Sequence, residues 1–119
     1  KASAENYKLL GDSYMVAQKE DQALVAYGKA SPLSANGDLD YMRAEILGSQ
    51  TEWAQARSVL QKGIARGVTH PGKAYLLLGK LNLGNKDRAA AKAAFTKAAQ
   101  EAETRDEAKA QLAKLGKAK

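Results

Sequence analysis

Catalysis needs a nucleophile, a base, a metal or a focused charge, and this sequence supplies few of these in a working arrangement. Its single histidine, His70, stands beside Pro71, and the chain has no cysteine. A metal centre of nitrogen and sulfur donors needs several at once, so no metal is expected and His70 reads as a surface or helix-capping residue. The absence of cysteine also excludes disulfides and thiolate chemistry, and suits a cytoplasm or an oxidising space equally. Ser3, Ser13, Ser31, Ser34, Ser49 and Ser58 occur in no Gly-x-Ser-x-Gly elbow. Gly79 and Gly84 form no phosphate-cradling loop. The acidic pairs Glu20-Asp21 and Glu101-Ala102-Glu103 fall near expected helix ends, on what should be an outer face. There they are solvated charge rather than an acid–base couple. No catalytic residue and no cofactor are expected, and the chain reads as a non-enzyme.

The bulk composition points to helices. Of 119 residues, about a fifth are alanine, only 2 are proline and 6% are aromatic, which favours closely packed helices over a sheet. That length fits one domain, and a 45% apolar content suffices for a core. No apolar run approaches the ~18 residues of a membrane helix, so no membrane insertion is expected. Lys1-Ala2-Ser3 is expected to lead straight into a helix with no signal-like start, as in a piece of a longer or processed protein. The net charge of +6 favours acidic partners, and part of it sits in a basic tail at 105–119, expected to be solvated and partly frayed.

What would position any functional surface is a repeat. Tyr75-x2-Leu78-Gly79, followed by Ala91-x3-Phe95-x2-Ala98, is copied earlier as Tyr7-x2-Leu10-Gly11-x2-Tyr14, followed by Ala23-x3-Tyr27-x2-Ala30. Tyr41 stands 34 residues from both Tyr7 and Tyr75 and opens a middle copy, in which Ala44-Glu45 replaces Leu-Gly. Trp53, Ala56, Leu60 and Gly63 are the inward residues of its second helix. A period in this range marks stacked helical hairpins. Ala23 to Ala56 is 33 residues and Ala56 to Ala91 is 35, so one residue is expected to be missing from the middle hairpin's turn. Gly11 and Ala23 are small because two helices cross closely there. Tyr7, Leu10, Gly11 and Tyr14 are expected on a buried stripe. Pro32 stops the second helix, Asp38 and Asp87 are expected helix caps, and Gly67 a C-terminal cap. A seventh helix at 105–116, apolar at Ala108, Leu112 and Leu115, should close the exposed end.

With this order of aromatic, Leu-Gly, aromatic and small residues, the chain resembles the tetratricopeptide repeat family over nearly its whole length. The resemblance implies an all-α, right-handed α-solenoid of three antiparallel helix hairpins, at about 4–37, 38–71 and 72–104, plus the capping helix. It further implies that the first helix of each repeat lines a concave groove that holds an extended or helical peptide. The groove positions are then Glu5, Lys8, Asp12 and Met15; Leu39, Met42, Ile46 and Ser49; and Lys73, Leu76, Lys80 and Leu83. Leu39 and Leu83 fit equally as groove floor and as packing against their own second helices, whereas Met42 and Ile46 are expected to open into the groove. Lys73 and Lys80 could receive an acidic group as point charges, and the methionines could repack around varied side chains.

Chaperone-binding members of the family grip a terminal carboxylate with five residues. Lys8 and Lys73 match two of these, but Asp12 and Arg43 replace asparagines and Leu77 replaces an arginine, which argues against that clamp. The expected function is a protein–protein interaction module, with Lys8, Asp12, Met15, Met42, Ile46, Lys73, Leu76 and Lys80 as its groove and a protein or peptide, including one with an acidic segment, as its partner. A self-associating scaffold using Trp53 and the irregular middle repeat is the alternative. Nucleic acid ranks last, because the aromatics fall on packing positions rather than in an exposed row. The alanine-rich third repeat also looks like bacterial envelope-associated repeat proteins, which places the module in a larger bacterial assembly and leaves periplasm or cytoplasm open.

Overall fold

Ser3 starts the first helix by accepting the Asn6 amide on its side-chain oxygen at 3.1 Å, satisfying one of the donors that a helix start leaves without a partner. The computed structural model describes residues 3–117, so Lys1, Ala2 and the last residues of the basic tail lie outside it. The helices are α1 (Ala4–Val16), α2 (Glu20–Ala30), α3 (Asp38–Ser49), α4 (Trp53–Arg66), α5 (Pro71–Gly84), α6 (Arg88–Ala98) and α7 (Arg105–Lys117). No strand occurs among the described residues. The pairs α1–α2, α3–α4 and α5–α6 are hairpins; α2 packs on α3, α4 on α5, and α7 on α6. The result is an elongated α-solenoid of 51 × 25 × 21 Å whose core is a seam through the stack.

The hairpins cross where the sequence is smallest. A methyl group at Gly11 would lie 2.5 Å from Tyr27 Cε1, and one at Gly79 would lie 2.4 Å from Phe95 Cε1. Both rings are fully buried, so neither can give way. Ala23, Ala30, Ala56, Leu60, Ala91 and Ala98 are also completely buried. Trp53 is half-buried against the central core and packs on Gly84, which makes it part of the α4–α5 contact.

The middle hairpin departs from the expected register. Each hairpin turn places one residue in the left-handed region: Gln18 and Thr51 at φ 61° and Lys86 at φ 60°. Each turn also closes with the same bond, from the amides of Lys19, Glu52 and Asp87 to the carbonyls of Tyr14, Leu47 and Asn82. The turns are therefore equal in length, and the missing residue is not in the middle turn. It is missing from α3 itself, which has 12 residues against 13 in α1. Counted from the turn, Ala44, not Glu45, occupies the crossing place of Gly11 and Gly79, opposite Leu60 in place of a ring. Asp40, not Tyr41, occupies the place of Tyr7 and Tyr75.

Asp40 is buried and accepts from the Ser31 hydroxyl at 2.6 Å, Arg43 at 3.3 Å and Arg66 at 3.5 Å. In the outer hairpins the corresponding tyrosines each lie under a lysine, Lys29 at 5.9 Å from the Tyr7 ring and Lys97 at 5.1 Å from the Tyr75 ring.

Caps and ends divide similarly. Asp87 caps α6 by accepting the Ala90 amide at 3.0 Å, and Gly67 ends α4 at φ 97°. Asp38 does not cap α3, because it lies inside the first turn after Gly37. Its carboxylate instead accepts the Thr69 amide and hydroxyl, tying the start of α3 to the loop before α5. Leu10 is not buried; it is 45% exposed, on a face of α1 that no helix among the described residues covers. α6 is shorter than its alanine-rich sequence suggests: it stops at Ala98, and a 3-10 turn follows at Ala102–Thr104. α7 closes the other end, with Ala108 fully buried beside Phe95 and Ala98, and with Leu112 and Leu115 packed on the same cluster.

Candidate functional site

The first helices of the hairpins, α1, α3 and α5, carry every residue of the expected groove, but the structure does not leave all of them available. Near the first two hairpins, Met15, Met42, Glu45, Ile46 and Ser49 gather with Glu20 and Tyr27 around an open pocket of about 250 Å³. Its floor is apolar and its rim carries two carboxylates. Glu20 therefore belongs to this face rather than to the outer face expected for it, since α2 turns back towards α1 at Lys19. Asp21 beside it accepts from the Gln50 side chain at 3.0 Å. Ile46 lines the pocket only by an edge. It is 5% exposed and packed with Leu39 against Ala23, Tyr27 and Ala30, so it holds α3 on α2 more than it meets a ligand. Leu39 is likewise core.

Of the third hairpin's groove positions, the two leucines are covered and the two lysines, Lys73 and Lys80, are exposed. Leu76 is 7% exposed among Ala91, Phe95 and Ala108, so it is a core residue beneath α7 and not open floor. Leu83 packs half-buried on the same cluster. Lys80 is exposed, but its Nζ donates to Glu107 of α7 at 3.1 Å. The capping helix thus closes the end of the stack and also draws a carboxylate onto the groove.

Of the groove's charges, Lys8, Asp12 and Lys80 are paired within the chain. Lys8 donates to Asp12 at 3.1 Å, one helical turn on. Asp12 also accepts the Tyr27 hydroxyl, and this bond, with help from Lys8, holds the Asp12 carboxyl below its ordinary range against an opposing contribution from burial. Burial first, and then the same carboxylate, pushes the Tyr27 hydroxyl far above its ordinary range.

Further along, Tyr41, Glu45, Lys73 and Glu103 form a second set. Burial raises the Glu45 carboxyl, with the Tyr41 hydroxyl and Lys73 pulling the other way. Burial raises Tyr41 as well, followed by the charge of Glu45. Glu103 also lies 3.5 Å from His70 Nδ1, and His70 is exposed at the start of α5, as a capping position predicts. Asp38 has its carboxyl lowered: burial opposes this, but the Thr69 hydroxyl and amide, His70 and Asn36 outweigh it.

Among the described residues no cluster of His, Cys, Asp and Glu could hold a metal ion. Among the same residues no helix is long and apolar enough to cross a membrane. Sequence reasoning missed Glu20, Tyr41, Glu45 and Glu107 as groove residues. Glu45 could have been found by counting back from Ala56 instead of forward from Tyr41; Glu107 gave no signal, since it depends on where α7 lies.

A stack of antiparallel helix pairs with one shared face of first helices is an α-solenoid. No family model matches the sequence, and no curated protein matches it. Solved structures do match. The crystal structure of MamA superposes with a TM-score of 0.85 at 21% identity, over 96% of this chain and 67% of that one. The first tetratricopeptide repeat domain of Spaghetti (RPAP3), bound to the HSP90 peptide SRMEEVD, gives 0.84 at 23% identity over 96% and 90%. The Arabidopsis OM64 domain of the same type gives 0.81 at 23% identity over 94% and 93%. The fold, together with the recurring Tyr-x2-Leu-Gly pattern, is that of the tetratricopeptide repeat family.

Proposed function

We propose that the chain is a non-enzymatic module that holds a segment of another protein against α1 and α3, within a larger assembly. The assembly is taken as bacterial on the style of the third repeat. The observation that carries the reading is the pocket of Met15, Met42 and Ile46 with Glu20 and Glu45 at its rim. Such a pocket takes one apolar side chain, and the thioethers adapt to its shape.

The rim sets the neighbouring charge. Lys8 and Lys80 are paired with Asp12 and Glu107, and Lys73 lies near Glu45, so an acidic segment meets few unpaired cations. Two carboxylates beside the pocket favour a basic or neutral flank instead. This reverses the charge expected from Lys73 and Lys80 in the sequence alone.

The test is fluorescence anisotropy with two sets of short labelled peptides, each with a central leucine or methionine, one set flanked by lysine and the other by glutamate. The lysine-flanked set should bind with micromolar affinity, ~8 kcal/mol. Met42→Lys, which fills the pocket and cancels its charge, should weaken that binding about tenfold or more, worth ~1.4 kcal/mol. Equal binding by both proteins would remove the pocket from consideration, and a preference for the glutamate set would refute the charge assignment.

A further inference from the structure

Among the described residues, the outer face of α1 and α2 at the start of the stack is apolar and takes no part in the Met15–Met42 pocket. Tyr7, Leu10 and Tyr14 of α1 and Asp21, Val25, Ala26 and Lys29 of α2 line one depression of about 330 Å³ there. Leu10 is 45% exposed and Val25 60% exposed. Leu78, which holds the place of Leu10 in the third hairpin, is 8% exposed within the central core, so the same residue type is covered there and open on this face. The opposite end has α7 as its cap.

The order of residues on this face says what could cover it. α1 presents Tyr7, Leu10 and Tyr14, an aromatic on either side of an aliphatic. α2 presents Asp21, Val25 and Lys29, one charge of each sign an equal number of residues from the centre. A two-fold axis lying in the plane of the face, across the helices and through Leu10 and Val25, reverses both helices onto themselves. It brings Leu10 against Leu10 and Val25 against Val25 of a second copy, Tyr7 against Tyr14, and Asp21 against Lys29 twice over. Like charges at the two ends would repel under the same operation; opposite charges attract. An isologous contact requires this self-complementarity.

We infer that the N-terminal face of α1 and α2 is the docking surface for a second copy of this chain, in an antiparallel two-fold dimer. The face shares no lining residue with the Met15–Met42 pocket, so each copy keeps its own pocket and the dimer offers two. Trp53, which packs on Gly84, takes no part.

Sedimentation velocity over a wide concentration range tests the pairing. The wild-type chain should pass from the single-chain mass to twice that mass as concentration rises. Val25→Glu, which sets two carboxylates against each other on the axis, should remain at the single-chain mass throughout. Lys29→Asp and Asp21→Lys should each weaken the dimer about tenfold, and the double reversal should restore it to within about threefold. Circular dichroism should find every variant folded, because all three positions are exposed. A wild-type chain that stays at the single-chain mass overturns the inference. So does a dimer indifferent to Val25→Glu, or single reversals that the double does not rescue.

Discussion

Replacing a helical glycine by alanine normally stabilises a helix by about 1 kcal/mol, because the backbone of glycine has more freedom to lose. Gly28 and Gly79 both sit inside helices and should give opposite results. At Gly28 the nearest atoms to an added methyl are those of the Arg43 guanidinium at 3.8–3.9 Å, which is ordinary contact. At Gly79 the methyl would lie 2.4, 2.6 and 2.7 Å from three carbons of the Phe95 ring, about 1 Å inside contact distance. Phe95 is 0% exposed and packed among Leu76, Ala91 and Ala98, so the ring has no room to turn. Overpacking of this kind costs about 1–3 kcal/mol, and a ring that cannot move belongs near the upper end.

Taking ~3 kcal/mol of overlap against ~1 kcal/mol of helix gain leaves Gly79→Ala destabilised by about 2 kcal/mol. Gly28→Ala should instead gain about 0.5–1 kcal/mol. Urea unfolding followed by circular dichroism reads both. Phe95→Leu supplies the control, because in its presence the added methyl has space and the two costs should sum to less than their separate values by about 1 kcal/mol or more. A neutral or stabilising Gly79→Ala, or strict additivity with Phe95→Leu, would refute the close crossing of α5 and α6.

Three further results follow from the same geometry. Asp40→Ala removes a buried carboxylate that Ser31, Arg43 and Arg66 share, and urea unfolding should show a loss of about 2–4 kcal/mol; a loss under about 1 kcal/mol would mean the cluster is solvated. Burial raises the Glu45 carboxyl above its ordinary 4.5, so the folded chain holds that proton more tightly than the unfolded chain and loses stability as pH rises through the folded value. Glu45→Gln should therefore raise Tm at neutral pH, with the gain fading once pH falls below about 4.5; a gain independent of pH would point to a cause other than ionisation. The peptide SRMEEVD, found on the Spaghetti domain, should show no saturation in the micromolar range by anisotropy, since Lys8 and Arg43 are bonded to Asp12 and Asp40 and Leu77 carries no charge.

The repeat made the fold legible because its spacing is a packing requirement. Gly11 and Gly79 must be bare where Tyr27 and Phe95 lie across them, and Ala23, Ala56 and Ala91 must be small for the same reason. The groove was less legible, because a position on the shared face says nothing about what else reaches it. Leu76 and Lys80 sit where a ligand-contacting residue would, yet α7 buries the first and pairs the second through Glu107. Spacing within a repeat cannot report the placement of an element outside it. The end of the stack was misread for the matching reason. Leu10 has the residue type of a core position, but its burial depends on a neighbour that the described chain does not have.

The middle hairpin is regular once its spacing is taken from the turn, and this changes how its residues are assigned. Read forward from Tyr41, it loses its Leu-Gly pair and looks decayed. Read back from the bond between Glu52 and Leu47, it keeps a small residue at the crossing, Ala44, and faces it with Leu60. The two differences compensate: a methyl group appears on α3 where glycine stood, and a ring gives way to the smaller leucine on α4, so the interhelical space stays filled. The same one-residue shift leaves Tyr41 half-buried at the edge of the central core with its hydroxyl toward Glu45, and puts Asp40, buried, in the place that half-buried Tyr7 and Tyr75 fill elsewhere. One shortened helix therefore accounts for the buried carboxylate, its partnership with Arg66, and the acidic rim of the pocket on α3.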